Sequence, residues 1–126
     1  MSMNSKISAL LREIGRPYQM YNDDGTYQGC FYPVQFIYRD KPCYKLQGND
    51  SDQNYYYGLR CIREHCTPIS LSELEPGDII ATRFKNELHV AVYYQFGKVI
   101  EVFRGHSLQI GSLKKYKKII CFRVIK

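Results

Sequence analysis

The sequence contains no apolar run approaching the roughly 18 residues that a membrane-spanning helix needs. That excludes a helical membrane protein. Its first stretch, "MSMNSKISALLREIG", places charges among its apolar residues and has no small-residue cleavage site, so it does not read as a secretory signal peptide. The expectation is a protein that does not leave a cell by the general route; to act outside one, it would need another carrier. An even cysteine count is also lacking. The five are Cys30, Cys43, Cys61, Cys66 and Cys121. An odd number without a signal peptide argues against a disulfide framework. Free cysteines mostly fill core space as small hydrophobes, which leaves room for one with a chemical role. The chain has no internal repeat and no low-complexity linker. Its last quarter has no acid: all 12 acidic side chains lie before residue 102, whereas seven of the 18 basic ones lie after it. The net charge of +6 therefore arises entirely in that quarter. Such a patch can steer a protein to a polyanion, nucleic acid or an anionic cell wall. The simpler reading of "KKYKK" is a solvated turn before a last strand.

What is present describes an ordinary globular chain. At 126 residues, 44% hydrophobic and 24% charged, residues 1–126 are expected to form one domain with a real core. In "ISALLREIG", Ile7, Leu10, Leu11 and Ile14 recur at helical spacing, and Gly15 closes the run. "RPYQMYNDDGTYQG" is a turn-rich loop. "CFYPVQFIYRD" can be helical only with Pro33 in the first turn, where its missing N–H costs little, and this sets Cys30 at the helix start. "LQGNDSDQN" reads as a polar loop, and "YYYGLRCIREHC" as a helix weakened by Gly58. After the turn "SLSELEPGD", the β-branched and aromatic runs "IIATRF", "LHVAVYYQ", "VIEVF", "SLQIGSL" and "KIICFRVIK" follow at hairpin spacing. Helices first and four or five antiparallel strands after them mean α+β.

One constellation carries chemistry. A thiolate is a strong nucleophile but forms poorly at the free thiol pKa of about 8.5. A helix N-terminus and a neighbouring imidazole both favour it. Cys30 has the first. Of the three histidines, His89 opens the run "LHVAVYY", from which it can point at a packed helix. Glu101 lies on the next strand of the hairpin, where it can neighbour His89 and fix its tautomer. His106 lies in the turn "RGHS" and is expected to be exposed. "CIREHC" sets Cys61 and His65 four residues apart on a helix, with Cys66 beside them. Structural zinc sites need four ligands and no second cluster is evident, so this spacing is read as coincidence and no metal is expected.

Taken in order, these features resemble the NlpC-type family of papain-like cell-wall peptidases, above all the small versions carried by bacteriophage tails. "LLREIGRPY" is similar to the family's lead helix and Gly-x-Pro-Tyr. "LEPGDIIATRF" is similar to its Pro-Gly-Asp turn into the sheet, "ELHVAVYY" to the strand bearing the catalytic histidine, and "GKVIEVFRG" to the strand bearing the third polar residue. The chain departs from the pattern beside the cysteine. Gly29 stands where the family has Asp, and Phe31, Tyr32 and Pro33 follow where it has Ser or Trp, Gly and Leu.

The resemblance implies a papain-like NlpC-type fold, with N-terminal helices on a sheet of about five strands. It also implies hydrolysis of amide bonds in peptidoglycan stem peptides. Cys30 would be the nucleophile, His89 the base, Glu101 its orienting group and Tyr18 a substrate-binding residue. No cofactor is implied. The partners would be the stem peptide and other phage tail proteins, with no membrane, and the location a virion tail assembled in the host cytoplasm and acting in the cell wall. Two alternatives stay open: a structural tail-tip protein on the same fold with weak or no catalysis, favoured by the altered flank of Cys30, and a nucleic-acid-binding module using the basic quarter and the tyrosines. The second ranks last because it leaves the order Cys30, His89, Glu101 unexplained.

Overall fold

Helices do precede strands, as the sequence order predicts. In the structure, a computed structural model describing residues 2–125, the helices are α1 (Met3–Leu11), α2 (Tyr32–Ile37) and α3 (Ser51–His65). The strands are β1 (Cys66–Ile69), β2 (Ile79–Phe84), β3 (Glu87–Gln95), β4 (Lys98–Glu101), β5 (Gln109–Ser112) and β6 (Ile119–Val124). They form one antiparallel sheet in the order β1-β6-β2-β3-β4-β5. The architecture is α+β, with one strand more than the five expected.

Local chemistry sets the helix limits. The Ser2 hydroxyl accepts the N–H of Ser5 and starts α1, which buries Ile7 and Leu10. The helix stops at Leu11, short of Gly15, so Ile14 lies beyond it and is exposed. Pro33 occupies the first turn of α2, preceded by a 3-10 turn over Gly29–Phe31 that carries Cys30. α3 starts earlier than its apolar pattern suggests. Asp50 caps it by accepting the N–H of Gln53, and Asn54 turns inward to hold the backbone of Gly48. Part of "LQGNDSDQN" is thus the first turn of a helix rather than a loop.

The strand missing from the sequence reading is β1. "CTPI" is short and contains Pro68, which the sheet tolerates because β1 is an edge paired only to β6. The Pro-Gly-Asp turn has a structural function. Asp78 is buried, accepts the N–H of Glu75, and takes a two-pronged contact from Arg123 at 3.1 and 2.8 Å. This ties the entry of β2 to β6, its sheet neighbour.

Alternate residues of the sheet feed two cores. Ile79, Val92 and Ile100 join Leu10, Phe31, Val34, Ile37 and Ile62 in the core beneath the helices. Ile80, Ala91, Val99 and Cys121 form a smaller one on the opposite face. The cysteines require a correction: Cys43 is paired with Cys61 in a disulfide, while Cys30, Cys66 and Cys121 are free and buried. The 3-10 turn Pro42–Tyr44 packs on α3 and carries Cys43 to the Cys61 face. Cysteine parity could not reveal that approach. Burial pushes the thiols of Cys66 and Cys121 up, which suits inert core positions.

Gly58 shows how closely α3 is seated. A Cβ there would lie 2.3 Å from the ring of Phe31, the neighbour of Cys30. On an open helix Gly→Ala stabilises by about 1 kcal/mol. Gly58→Ala is expected instead to destabilise by about 1–3 kcal/mol through overpacking, read as a lower urea midpoint at unchanged slope. A more stable variant would refute this seating of α3 on Phe31.

Candidate active site

The β3–β4 hairpin builds half of the site. Val92 lies opposite Ile100, so His89, earlier on β3, and Glu101, last on β4, come to the same end of the hairpin. His89 Nε2 is 2.9 Å from Glu101 Oε1, and the two are 3% and 0% exposed. A carboxylate in that position requires several donors. Besides His89, the Tyr116 hydroxyl donates to Oε1 and the Lys115 ammonium to Oε2. Both come from the "KKYKK" segment, which is therefore not only a solvated turn. Lys114, Lys117 and Lys118 are exposed, but Tyr116 is buried and Lys115 reaches inward. Nothing in the sequence pairs these two with Glu101; only the fold brings them there.

The electrostatics of the pair follow from these contacts. Burial alone would raise the Glu101 carboxyl, yet the hydrogen bonds from His89, Lys115 and Tyr116 hold it below the usual range. Burial also opposes charge on His89, but its contacts with Cys30 and Glu101 outweigh that and bring it up to about 9. Burial and the bond to Glu101 push the Tyr116 phenol upward, so it remains a donor. Phe84, Phe103 and Tyr116 surround the imidazole with ring centroids 5.7–6.4 Å away. That apolar box keeps water from competing for the Glu101 bond.

Cys30 supplies the other half. It lies in the 3-10 turn leading into α2 and is 2% exposed. Its thiol faces His89, and because Glu101 holds Nε2, Nδ1 is the ring nitrogen left to exchange a proton with sulfur. The short bond of the sulfur is to another group: Cys30 Sγ is 3.2 Å from the Tyr55 hydroxyl, the thiol donating. Burial and the charge on Cys30 push the Tyr55 phenol up, so it keeps its proton and can donate in return to a thiolate. Tyr55 is the residue the sequence reading missed. It sits in the first two turns of α3, a segment without any motif.

The altered flank of Cys30 has a local cause. Gly29 has φ +50°, and a Cβ there would come within 2.4 Å of the Tyr27 hydroxyl. The space beside the cysteine is filled by Tyr27, so no side chain fits at position 29. Tyr18 reaches the same cleft: Pro17 bridges Ser107, and the Tyr18 N–H donates to His106 O at 3.1 Å. The cleft is about 420 Å³ and is lined by Tyr18, Cys30, Tyr55 and His89 together with Asp52 and Arg104. All four residues singled out from sequence thus line or adjoin one cleft, Glu101 behind His89. His106 is exposed, as expected. Among the described residues, the one group spaced to hold a metal is Cys43, Cys61 and His65, none of which lines the cleft.

Compared by sequence, the chain matches no family profile and no curated protein. Solved structures do resemble it. The NlpC/p60 domain of the peptidoglycan hydrolase SagA superposes with a TM-score of 0.65 at 18% identity, over 98% of this chain and 100% of that one. An NlpC/p60 family protein from Bacillus cereus gives 0.65 at 20% identity over the whole chain, and a lipoprotein-like NLP/P60 family protein from Staphylococcus aureus gives 0.62 at 17% over 98%. This chain spans 41% of each of those two.

The raised His89 has a direct consequence. An imidazole in an unfolded chain titrates near 6.5. With about 9 in the folded state, folding favours the proton, so this contribution to stability is complete below pH 6.5 and lost as pH rises through about 9. An NMR titration of the His89 ring should give a midpoint near 9. Cys30→Ala and Glu101→Gln should each lower it, since burial then acts with less opposition. A midpoint unmoved by Cys30→Ala would show that sulfur and imidazole do not share charge. The fold on which this site is built is that of the NlpC/p60 domains.

Proposed function

We propose that the protein is a cysteine peptidase that hydrolyses amide bonds in peptidoglycan stem peptides, next to a D-γ-glutamyl unit, as part of a bacteriophage tail. The observation that carries this reading is the convergence of Cys30, His89 and Glu101 on one cleft, in a chain whose fold matches a peptidoglycan hydrolase domain along its whole length. The tail assignment is supported by the resemblance of the sequence to the small phage-borne members of the family.

The chemistry follows from the contacts. With its proton on His89, the Cys30 thiolate attacks the carbonyl carbon, and the C=O electron pair moves onto oxygen. The backbone N–H of Cys30, in the 3-10 turn before α2, would bind that oxyanion. Collapse breaks the C–N bond as the His89 imidazolium protonates the leaving amine. Water then attacks the thioester with His89 as base, releasing the acid and restoring the thiol. Glu101 keeps the ring in the required tautomer and balances the imidazolium. Tyr18, which lines the cleft, is assigned to binding the stem peptide.

A second reading is favoured by one observation. Cys30 is 2% exposed and its sulfur is engaged by Tyr55. A nucleophile so covered turns over slowly unless substrate shifts Tyr55, which suits a structural tail-tip protein with weak or no catalysis.

Purified muropeptides of several wall types, incubated with the protein and analysed by mass spectrometry, separate the two. The peptidase reading expects new amine ends, abolished by Cys30→Ala, reduced about 10³-fold or more by His89→Ala and about 10²-fold or more by Glu101→Gln. Cleavage surviving Cys30→Ala would sink the nucleophile. No cleavage of any wall type by the wild type would favour the structural reading. Tight, salt-sensitive binding to DNA or RNA, weakened by neutralising Lys114, Lys117 and Lys118, would instead support a nucleic-acid partner.

A further inference from the structure

Two cysteines and a histidine stand apart from the cleft. Cys61 and His65 lie one turn apart on the same face of α3, and Cys43 approaches that face from the Pro42–Tyr44 turn. The two sulfurs and a ring nitrogen of His65 all lie within 4.8 Å of one another. Cys61 is buried, while Cys43 and His65 are half-buried. When oxidised, the sulfurs are joined as the Cys43–Cys61 disulfide. That bond gives the adjacent imidazole no part to play.

We propose that in the reduced protein these three side chains form a binding site for a thiophilic divalent cation of the zinc class, mutually exclusive with the disulfide. Two thiolates and a neutral imidazole are a soft donor set that suits zinc. Bond lengths of about 2.3 Å to sulfur and about 2.0–2.1 Å to nitrogen require tetrahedral donors roughly 3.4–3.8 Å apart. Once the disulfide is reduced, the two sulfurs move apart to that spacing while the His65 nitrogen, already within 4.8 Å, closes on them; the Cα atoms of Cys43 and Cys61, 5.9 Å apart, allow it. A water would complete the set as fourth ligand on the side of Cys43 and His65, which are only half-buried. Its position also suits a cation: His65 closes the last turn of α3, where the helix dipole favours positive charge. Loading releases the two thiol protons to solvent, and the two thiolate charges balance the metal.

Passage between the two states is redox-balanced. A dithiol reductant donates two electrons and two protons to the Cys43–Cys61 disulfide and leaves as its own disulfide; metal then replaces the protons. Either link fastens the Pro42–Tyr44 turn to α3, the helix that presents Tyr55 to Cys30. A chain made in a reducing compartment would carry the metal link there and exchange it for the disulfide in an oxidising one.

The test uses the full chain, reduced by excess phosphine, freed of metal by chelation and titrated with Co²⁺ and then Zn²⁺. The expected result is a thiolate-to-cobalt charge-transfer band saturating at one equivalent and displaced by Zn²⁺. It should be absent in Cys43→Ala, absent in the oxidised protein, and weakened at least tenfold in affinity by His65→Ala. No band in the reduced wild type, a band that persists in Cys43→Ala, or unchanged affinity in His65→Ala would overturn the site. Should the cysteine variant not fold, alkylation of the reduced wild type decides. Zn²⁺ should slow modification of Cys43 and Cys61 at least tenfold while leaving Cys30 unchanged. Equal rates with and without Zn²⁺ would overturn the proposal.

Discussion

A carboxylate with no exposed surface is the constraint around which the half of the sheet beside the cleft is arranged. Glu101 can stay ionised there only because His89, Lys115 and Tyr116 all donate to it. Each donor makes a demand on the fold. His89 requires the β3–β4 register. Lys115 and Tyr116 require the chain to turn back after β5, which the 3-10 turn Leu113–Lys115 accomplishes. Gly111, opposite Val99 on the neighbouring strand, is fixed by the same carboxylate, since a Cβ there would stand 1.9 Å from Glu101 Oε2. One buried charge therefore accounts for a glycine, an inward lysine and a buried tyrosine that look unrelated in the sequence.

The opposite wall of the cleft is governed by crowding rather than charge. Tyr27, Phe31 and Tyr55 pack around Cys30, with Tyr27–Tyr55 and Phe31–Tyr55 centroids 6.3 and 5.7 Å apart. The glycines at 29 and 58 are where that cluster leaves no room for a Cβ. The unusual flank of the cysteine is thus consistent with itself. The space that a side chain at position 29 would take is filled by Tyr27, from two residues upstream.

This division explains what could be read from the sequence. His89 and Glu101 were legible because a tight hairpin relates its strands by simple counting. Cys30 was legible because Pro33 restricts where a helix can start. The order of helices and strands followed from a change in periodicity. Asp50 as a cap was obscured by its polar neighbours, and β1 by its proline. Contacts between segments distant in sequence left no local sign: Cys43 with Cys61, Tyr55 with Cys30, Lys115 and Tyr116 with Glu101. Such approaches are set by tertiary packing, which neither parity counts nor periodicity encode.

The two walls meet at a single imidazole, and their balance decides what the cleft can do. Glu101 draws positive charge onto His89, which favours the thiolate partner. Lys115 bonds the other oxygen of the same carboxylate and so tempers that pull. Tyr55 accepts the thiol of Cys30, and were the sulfur ionised its hydroxyl could turn and donate, acting in the same direction as His89. A thiolate bonded by both an imidazolium and a phenol would be less nucleophilic than one held by the imidazolium alone, since part of its charge would be committed to a second hydrogen bond. On the proposed peptidase reading, substrate that drew the Tyr55 hydroxyl away would free the sulfur as a carbonyl arrived, and the reactivity of Cys30 would be coupled to occupancy of the cleft.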